Sequence, residues 1–232
     1  MVSNRRNNHS NSQLSGSELF ETYFGGRHRT PNLGTMTKTP ITVGISEIDC
    51  SIGGIFPGEF LVIGAYTDFS KQILAIEMCV NAAIAGNRVF YLSERISREE
   101  VEGRAICFLA QVSYAETCRG AINKEEEHRI CSAIELFRSL EFQCHTVSNP
   151  NPKMLTSYLE KVQAKKPFNL FVIDDVQSFV VTVSSNSSLY AEVSLLSRSL
   201  KRFALQSSVV IIALSQLNRG FLGETHHKAS LW

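Results

Sequence analysis

EFLVIGAYTDFSKQILAIEMCVNA, residues 59–82, is the stretch from which the fold is read. The apolar run Phe60 to Ile63 predicts a buried strand, a short polar loop follows, and Lys71 opens a segment whose apolar residues recur with helical spacing. Strand, loop, lysine and helix in that order are the layout of a phosphate-binding P-loop. There, glycines turn backbone N–H groups onto the phosphates, a lysine reaches the terminal phosphates, and a hydroxyl holds Mg²⁺. Set against G-x-x-x-x-G-K-[ST], the two glycine positions are Ala65 and Ser70, the lysine is Lys71, and the hydroxyl position is Gln72. The layout is that of an ATP site, but only the lysine of the four determinants remains.

Outward from this segment, apolar runs rich in β-branched and aromatic residues predict strands at 60–64, 88–92, 144–147, 169–173 and 208–214. Helical periodicity fills 71–86, 97–112, 123–140, 152–165 and 190–206. Strands alternating with helices of this length imply parallel pairing through right-handed crossovers, hence an α/β fold with a mostly parallel central sheet flanked by helices. Ligands in such sheets bind at the carboxyl ends of the strands, where the Lys71 loop lies.

The chain has 232 residues, 44% of them hydrophobic, enough for one domain and a tail. A formal net charge of +1 supplies no global field for nucleic acid or an anionic membrane, so any such contact must come from a local patch. The six cysteines, Cys50, Cys79, Cys107, Cys118, Cys131 and Cys144, stand singly, with no C-x-x-C pair and no histidine at metal spacing. They read as buried reduced thiols of a cytoplasmic protein. A polar N-terminus and the lack of any run of about 18 apolar residues argue against export and membrane spanning. Residues 1–40 are rich in Asn, Ser, Thr, Arg and Gly and read as a flexible polar arm, with one short amphipathic helix at 17–24. The arm's basic residues Arg5, Arg6, Arg27, Arg29 and Lys38 read as a solvated tail rather than a DNA or subunit contact.

Three strand ends carry polar groups. The strand at 170–173 runs into Asp174 and Asp175, and an aspartate there can hold the Mg²⁺ of a nucleotide or cap a turn. The strand at 89–93 ends at Glu94, which could orient an attacking water if that strand neighbours the Lys71 loop. Beside it, Ser97 and Glu100 have capping-box spacing. The strand at 208–214 leads into Ser215, Gln216, Asn218 and Arg219, a cluster able either to sense a γ-phosphate or to close a turn.

In order, these residues resemble the C-terminal motor domain of the DnaB-type replicative DNA helicases, a RecA-fold family. VGISEID (43–49), followed by Gly53, Gly54 and Pro57-Gly58-Glu59, is similar to the family's leading segment. VFYLSERIS (89–97) is similar to the strand carrying its catalytic glutamate, which falls on Glu94. VIDDVQ (172–177) is similar to its Walker B strand, with the metal aspartate at Asp174. EVSLLSRSLK (192–201) and ALSQLNR (213–219) are the most specific matches, the latter with the family's sensor glutamine at Gln216. The resemblance spans about residues 41–219. It implies a RecA-like P-loop NTPase fold over 41–232 and ATP with Mg²⁺ bound by Ala65, Ser70, Lys71, Gln72 and Asp174. It also implies ATP-dependent unwinding in DNA replication, with single-stranded DNA and helicase subunits, a hexameric ring in the family, as partners.

The departures from that pattern are local. Ser70 stands where glycine lets the backbone wrap a phosphate, and Gln72 offers an amide where a compact hydroxyl belongs. Asp68 adds a negative charge, at a cost of about 1 kcal/mol for each solvated like-charge contact, and Phe69 adds bulk. Weak or absent ATP hydrolysis is therefore expected. The segment after Gln216 is short of the family's pattern, which would leave the motor domain incomplete at its C-terminus; His226 and His227 there read as a solvated tail rather than a metal site. Two alternatives stand beside a helicase motor: a non-catalytic RecA-fold adaptor or inhibitor binding helicase subunits or DNA, and a RecA-like regulatory ATPase outside replication.

Overall fold

A computed structural model of the chain describes residues 39–148, 152–180 and 189–217, without the side chains of residues 68, 69, 152 and 153. The arm at 1–40, its helix at 17–24, its basic residues, Asn218, Arg219 and the histidine tail lie outside or almost wholly outside these residues.

Within them the chain runs α1 (Ser46–Ile52), β1 (Phe60–Ala65), α2 (Asp68–Ile84), β2 (Val89–Ser93), α3 (Arg98–Ala110), α4 (Tyr114–Cys118), α5 (Lys124–Ser139), β3 (Phe142–Thr146), α6 (Pro152–Lys165), β4 (Leu170–Asp174), α7 (Leu189–Ser207) and β5 (Val210–Gln216). All five strands predicted from the apolar runs form, and every pairing is parallel. The sheet order is β1-β5-β4-β2-β3. After β1 the chain crosses over α2 to β2 and leaves two positions vacant, which β4 and β5 fill later. The carboxyl ends of β1 and β4 therefore flank β5.

Each strand's alternation divides the core. Tyr91, Val172, Ile212 and Leu214 face α2 and α3, where Ala75, Ile76, Cys79, Val80, Val101 and Ala105 meet them. Phe90, Phe171, Ile173 and Ala213 face α6 and α7, against Leu155, Leu159, Leu196, Leu200 and Phe203. On that second face, Phe90, Phe168, Phe171 and Phe203 contact one another in turn at centroid separations of 5.2, 5.7 and 5.4 Å, the edge-on packing that aromatic quadrupoles favour. β2 and β4 are buried at every position, as expected of central parallel strands covered on both faces.

The leading segment is held by its own polar groups. Asp49 accepts from the backbone N–H groups of Val43 and Gly44, both at 2.9 Å. Gly44 lies at φ 71°, and a Cβ there would come within 2.7 Å of Asn81. Two segments that carried the family resemblance also meet: Lys201 on α7 donates from Nζ to the Gly58 carbonyl at 2.8 Å.

Several expectations are corrected. β1 is a half-buried edge strand, with Val62 36% exposed, because β5 is its one partner among the described residues. β2 is not adjacent to β1, so Glu94 borders the site through β4 and not as a neighbour of β1. The helix expected from Lys71 begins at Asp68, which leaves Tyr66 and Thr67 alone between β1 and α2. Cys79, Cys107 and Cys144 are buried, whereas Cys50, Cys118 and Cys131 sit on the outer faces of α1, α4 and α5 and are exposed. Burial pushes the Cys79 thiol up and the Cys144 thiol to about 12, so these two stay protonated and behave as small apolar groups. At α3, Ser97 accepts from the Glu100 N–H, but the Glu100 carboxylate turns to Arg104 at 2.6 Å, so half of the expected capping box forms. The complete capping box is at α5, between Asn123 and Glu126.

Candidate nucleotide site

The site is built where β4 ends beneath the first turn of α2. Alternation along β4 turns Leu170, Val172 and then Asp174 toward α2, while on β2 the same period turns Tyr91 and Ser93 to that side. Asp174 is fully buried. Its Oδ2 accepts three hydrogen bonds: from Gln72 Nε2 at 2.9 Å, from the Tyr91 hydroxyl at 3.1 Å and from the Ser93 hydroxyl at 3.2 Å. Its Oδ1 is buried with no hydrogen-bond partner. Burial raises the Asp174 carboxyl to about 6, with the Asp175 charge adding to the rise and the Tyr91 and Gln72 hydrogen bonds opposing it. Burial and the neighbouring carboxylate push Tyr91 well above its ordinary range, so its hydroxyl stays protonated as a donor.

Asp175, one residue on, has a different job. Its Oδ1 accepts from the backbone N–H and hydroxyl of Ser178 at 2.8 and 2.9 Å, the turn-capping role open to either aspartate in the sequence. Its Oδ2 pairs with Lys71 Nζ at 3.2 Å, both side chains fully buried, and with Arg95 at 3.5 Å, whose side chain is 41% exposed. Lys71 thus lies beneath the surface against a carboxylate, and Gln72 beside it is also buried.

The remaining sequence-derived candidates fall around this pair of contacts. Glu94 follows β2 directly and its backbone N–H donates to the Asp174 carbonyl at 3.2 Å, so it borders the site from the β2 side. Ala65 and Gln216 are register partners at the ends of β1 and β5. Ser70 is exposed, and its hydroxyl is turned back to Thr67, 2.7 Å from Oγ1 and 3.2 Å from the carbonyl. The structure therefore brings Lys71, Gln72 and Asp174 together, sets Glu94 beside them, and directs Ser70 elsewhere.

Sequence reasoning gave no role to Gln177. Its Nε2 donates to the Ser215 hydroxyl at 2.6 Å and the Gln216 carbonyl at 3.1 Å, while its Oε1 accepts from the Gln216 N–H at 3.3 Å. One side chain thereby fastens the end of β5 to the turn after β4. The available signal was a lone amide two residues past the paired aspartates, opposite another strand-end amide.

Mg²⁺ and ATP, which the resemblance implies, can be tested against this donor set. Mg²⁺ requires oxygen ligands in a near-octahedral shell. Position 72 presents an N–H donor, Asp174 Oδ2 already accepts three hydrogen bonds, and Oδ1 is the one oxygen of that carboxylate without a partner. Among the described residues no group of three His, Cys, Asp or Glu side chains converges. A phosphate would have to displace Asp175 from Lys71 and lie against a two-residue connection containing no glycine. As arranged, the residues do not fit Mg·ATP.

Comparison with known proteins assigns the scaffold. The model of the DnaB-like helicase C-terminal domain family matches residues 40–231. The replicative DNA helicase DnaB of Buchnera aphidicola subsp. Schizaphis graminum is 29% identical over 194 residues, covering 82% of this chain and 41% of its own length. A probable plasmid replicative DNA helicase of Chlamydia trachomatis is 28% identical over 177 residues, covering 76% and 39%. The chain thus spans about two fifths of the length of these relatives. Among solved structures, the ATPase domain of G40P superposes with a TM-score of 0.72 at 22% identity, covering 81% of this chain and 67% of that one. A DnaB-like replicative helicase, described with its interactions with primase, gives the same score and identity over 81% of this chain and 46% of that one. These structural likenesses establish the RecA-like fold. With the family model matched along nearly the whole described domain, the chain belongs to the DnaB-like helicase C-terminal domain family.

Proposed function

We propose that this chain serves in DNA replication in the cytoplasm as a DnaB-type motor domain, associating with helicase subunits and single-stranded DNA, with weak or no ATP hydrolysis of its own. Family membership supports the replicative setting. The observation that carries the catalytic part is the closure of Lys71 and Gln72 on Asp175 and Asp174 at 3.2 and 2.9 Å. A nucleotide must break a buried ion pair and a buried hydrogen bond before it gains a contact. Glu94 and Gln216 keep the residue types of a hydrolytic site, in the catalytic and sensing roles the family would give them. Titration calorimetry with Mg·ATP, paired with phosphate release in the presence of single-stranded DNA, tests this. The expected result is no saturable binding at micromolar ATP and no DNA-stimulated release; micromolar affinity with stimulated turnover would refute it.

The same closed site favours a second reading, a non-catalytic adaptor or inhibitor that joins helicase subunits. Both readings place the chain in the ring, so rings of active family subunits are assembled with the chain or its Glu94→Gln variant and their turnover and unwinding compared. A weak motor loses rate on that substitution and an adaptor does not. An adaptor enters the assembly and changes the rate without binding ATP.

A further inference from the structure

Gln72 has the chemistry to do more than fail as a metal ligand. Its amide reaches the carboxylate that a nucleotide's cation would use, and presents its positive, N–H end to Oδ2 at 2.9 Å within a buried cluster that also holds Tyr91 and Ser93. On the other side of the pair of aspartates, the Asp175 carboxylate lies on Lys71 as an anion, where a phosphate would lie. Both halves of a metal-nucleotide complex thus have counterparts among the chain's own atoms: an amide for the cation and a carboxylate for the phosphate. We infer that Gln72 is a built-in substitute for the divalent cation at Asp174, so that the folded domain neither needs nor takes up Mg²⁺ there.

The physical basis is the balance of donors and acceptors. Ionised Asp174 needs positive partners in a dry site, and Gln72, Tyr91 and Ser93 provide three N–H or O–H donors with no net charge. A cation entering at Oδ2 would have to expel the buried Gln72 amide, and Oδ1, buried without a partner, offers a single oxygen toward an octahedral shell. Replacing that amide by an oxygen ligand should restore demand for a metal. Gln72→Glu replaces the amide donor by a second carboxylate beside Asp174 and so supplies oxygen ligands where the wild type has an N–H. Gln72→Thr removes the amide and supplies a compact hydroxyl.

This inference rests on reading the Lys71 and Asp174 cluster as the family's nucleotide site, but its test uses the metal alone. Thermal midpoints of the intact chain and of both variants are measured in EDTA and in millimolar MgCl₂ at matched ionic strength, and Mn²⁺ binding is followed by electron paramagnetic resonance. The wild-type midpoint is expected to be the same in both buffers, with no site-bound Mn²⁺ signal. The Gln72→Glu variant is expected to have a lowered midpoint in EDTA that rises by about 5 °C or more once metal exceeds its dissociation constant a hundredfold. Gln72→Thr should shift in the same direction by less. A variant too unstable to fold in EDTA is refolded by dilution with and without Mg²⁺, and recovery only with metal supports the inference. Saturable Mg²⁺ stabilisation or Mn²⁺ binding by the wild type overturns it, as does a Gln72→Glu variant indifferent to metal in both folding and midpoint. Micromolar ATP binding by the wild type would refute the proposed weak or absent hydrolysis and leave the metal result standing.

Discussion

Replacing Asp174 by asparagine keeps the side chain's shape and removes its charge, and the structure fixes what that should do to stability. The carboxyl rises from 3.8 to about 6 on folding, chiefly because it is buried. A raised acid binds its proton more tightly in the folded than in the unfolded chain, so stability falls as pH climbs between those two values and then levels off. Two pKa units correspond to about 3 kcal/mol of cost for the ionised side chain above about pH 6. Asparagine avoids that cost and can keep an oxygen facing Gln72, Tyr91 and Ser93. Its amide nitrogen then occupies the place of Oδ1, which has no partner, and this unsatisfied donor costs about 1 kcal/mol. The variant should therefore be more stable than the wild type by about 2 kcal/mol near pH 8, and equal or slightly less stable near pH 4. Urea denaturation followed by circular dichroism across that range reads the difference directly. A variant that is less stable near pH 8, or a difference that does not change with pH, would refute the claim that Asp174 ionises in the folded chain at a cost set by its burial.

Other perturbations test other contacts. Lys71→Met leaves buried Asp175 with the more distant Arg95 as its cation, and should cost about 3 kcal/mol in nucleotide-free denaturation; adding Asp175→Asn should recover more than about 1 kcal/mol of it. Gln177→Ala removes the side chain that fastens β5 to the turn after β4 and should destabilise by about 2 kcal/mol, with faster hydrogen exchange at the Gln216 amide than elsewhere on β5. Asn123→Ala breaks the α5 capping box and should cost about 1 kcal/mol by the same denaturation, a change confined to α5 in amide exchange.

Much of the architecture was legible because it depends on local pattern. Runs such as Val89 to Leu92 and Leu170 to Ile173 can only be central parallel strands when helices of matching length separate them, and they are buried at every position. Element ends were less legible, since they depend on individual contacts. Ser70 turns its hydroxyl to Thr67 within a helix that starts a turn early, a difference that apolar periodicity does not register. The exposure of Cys50, Cys118 and Cys131 is not legible in sequence for a related reason: an apolar residue type does not say which side of an amphipathic helix faces the sheet.

At the site, residue types and spacing supply the inventory: a lysine without its glycines, an amide in place of a hydroxyl, and paired aspartates at a strand end. They do not determine the partners. Gln72 and Asp174 are 102 residues apart, and Lys71 and Asp175 are 104 apart. Whether those side chains meet depends on the sheet order that puts β4 under α2 and sends β2 beyond it. That order arises from packing both faces of the sheet at once, a constraint on the whole chain that no local window contains. The residue order thus specifies a weakened P-loop, and the packing of the sheet turns its lysine and glutamine onto the protein's own carboxylates.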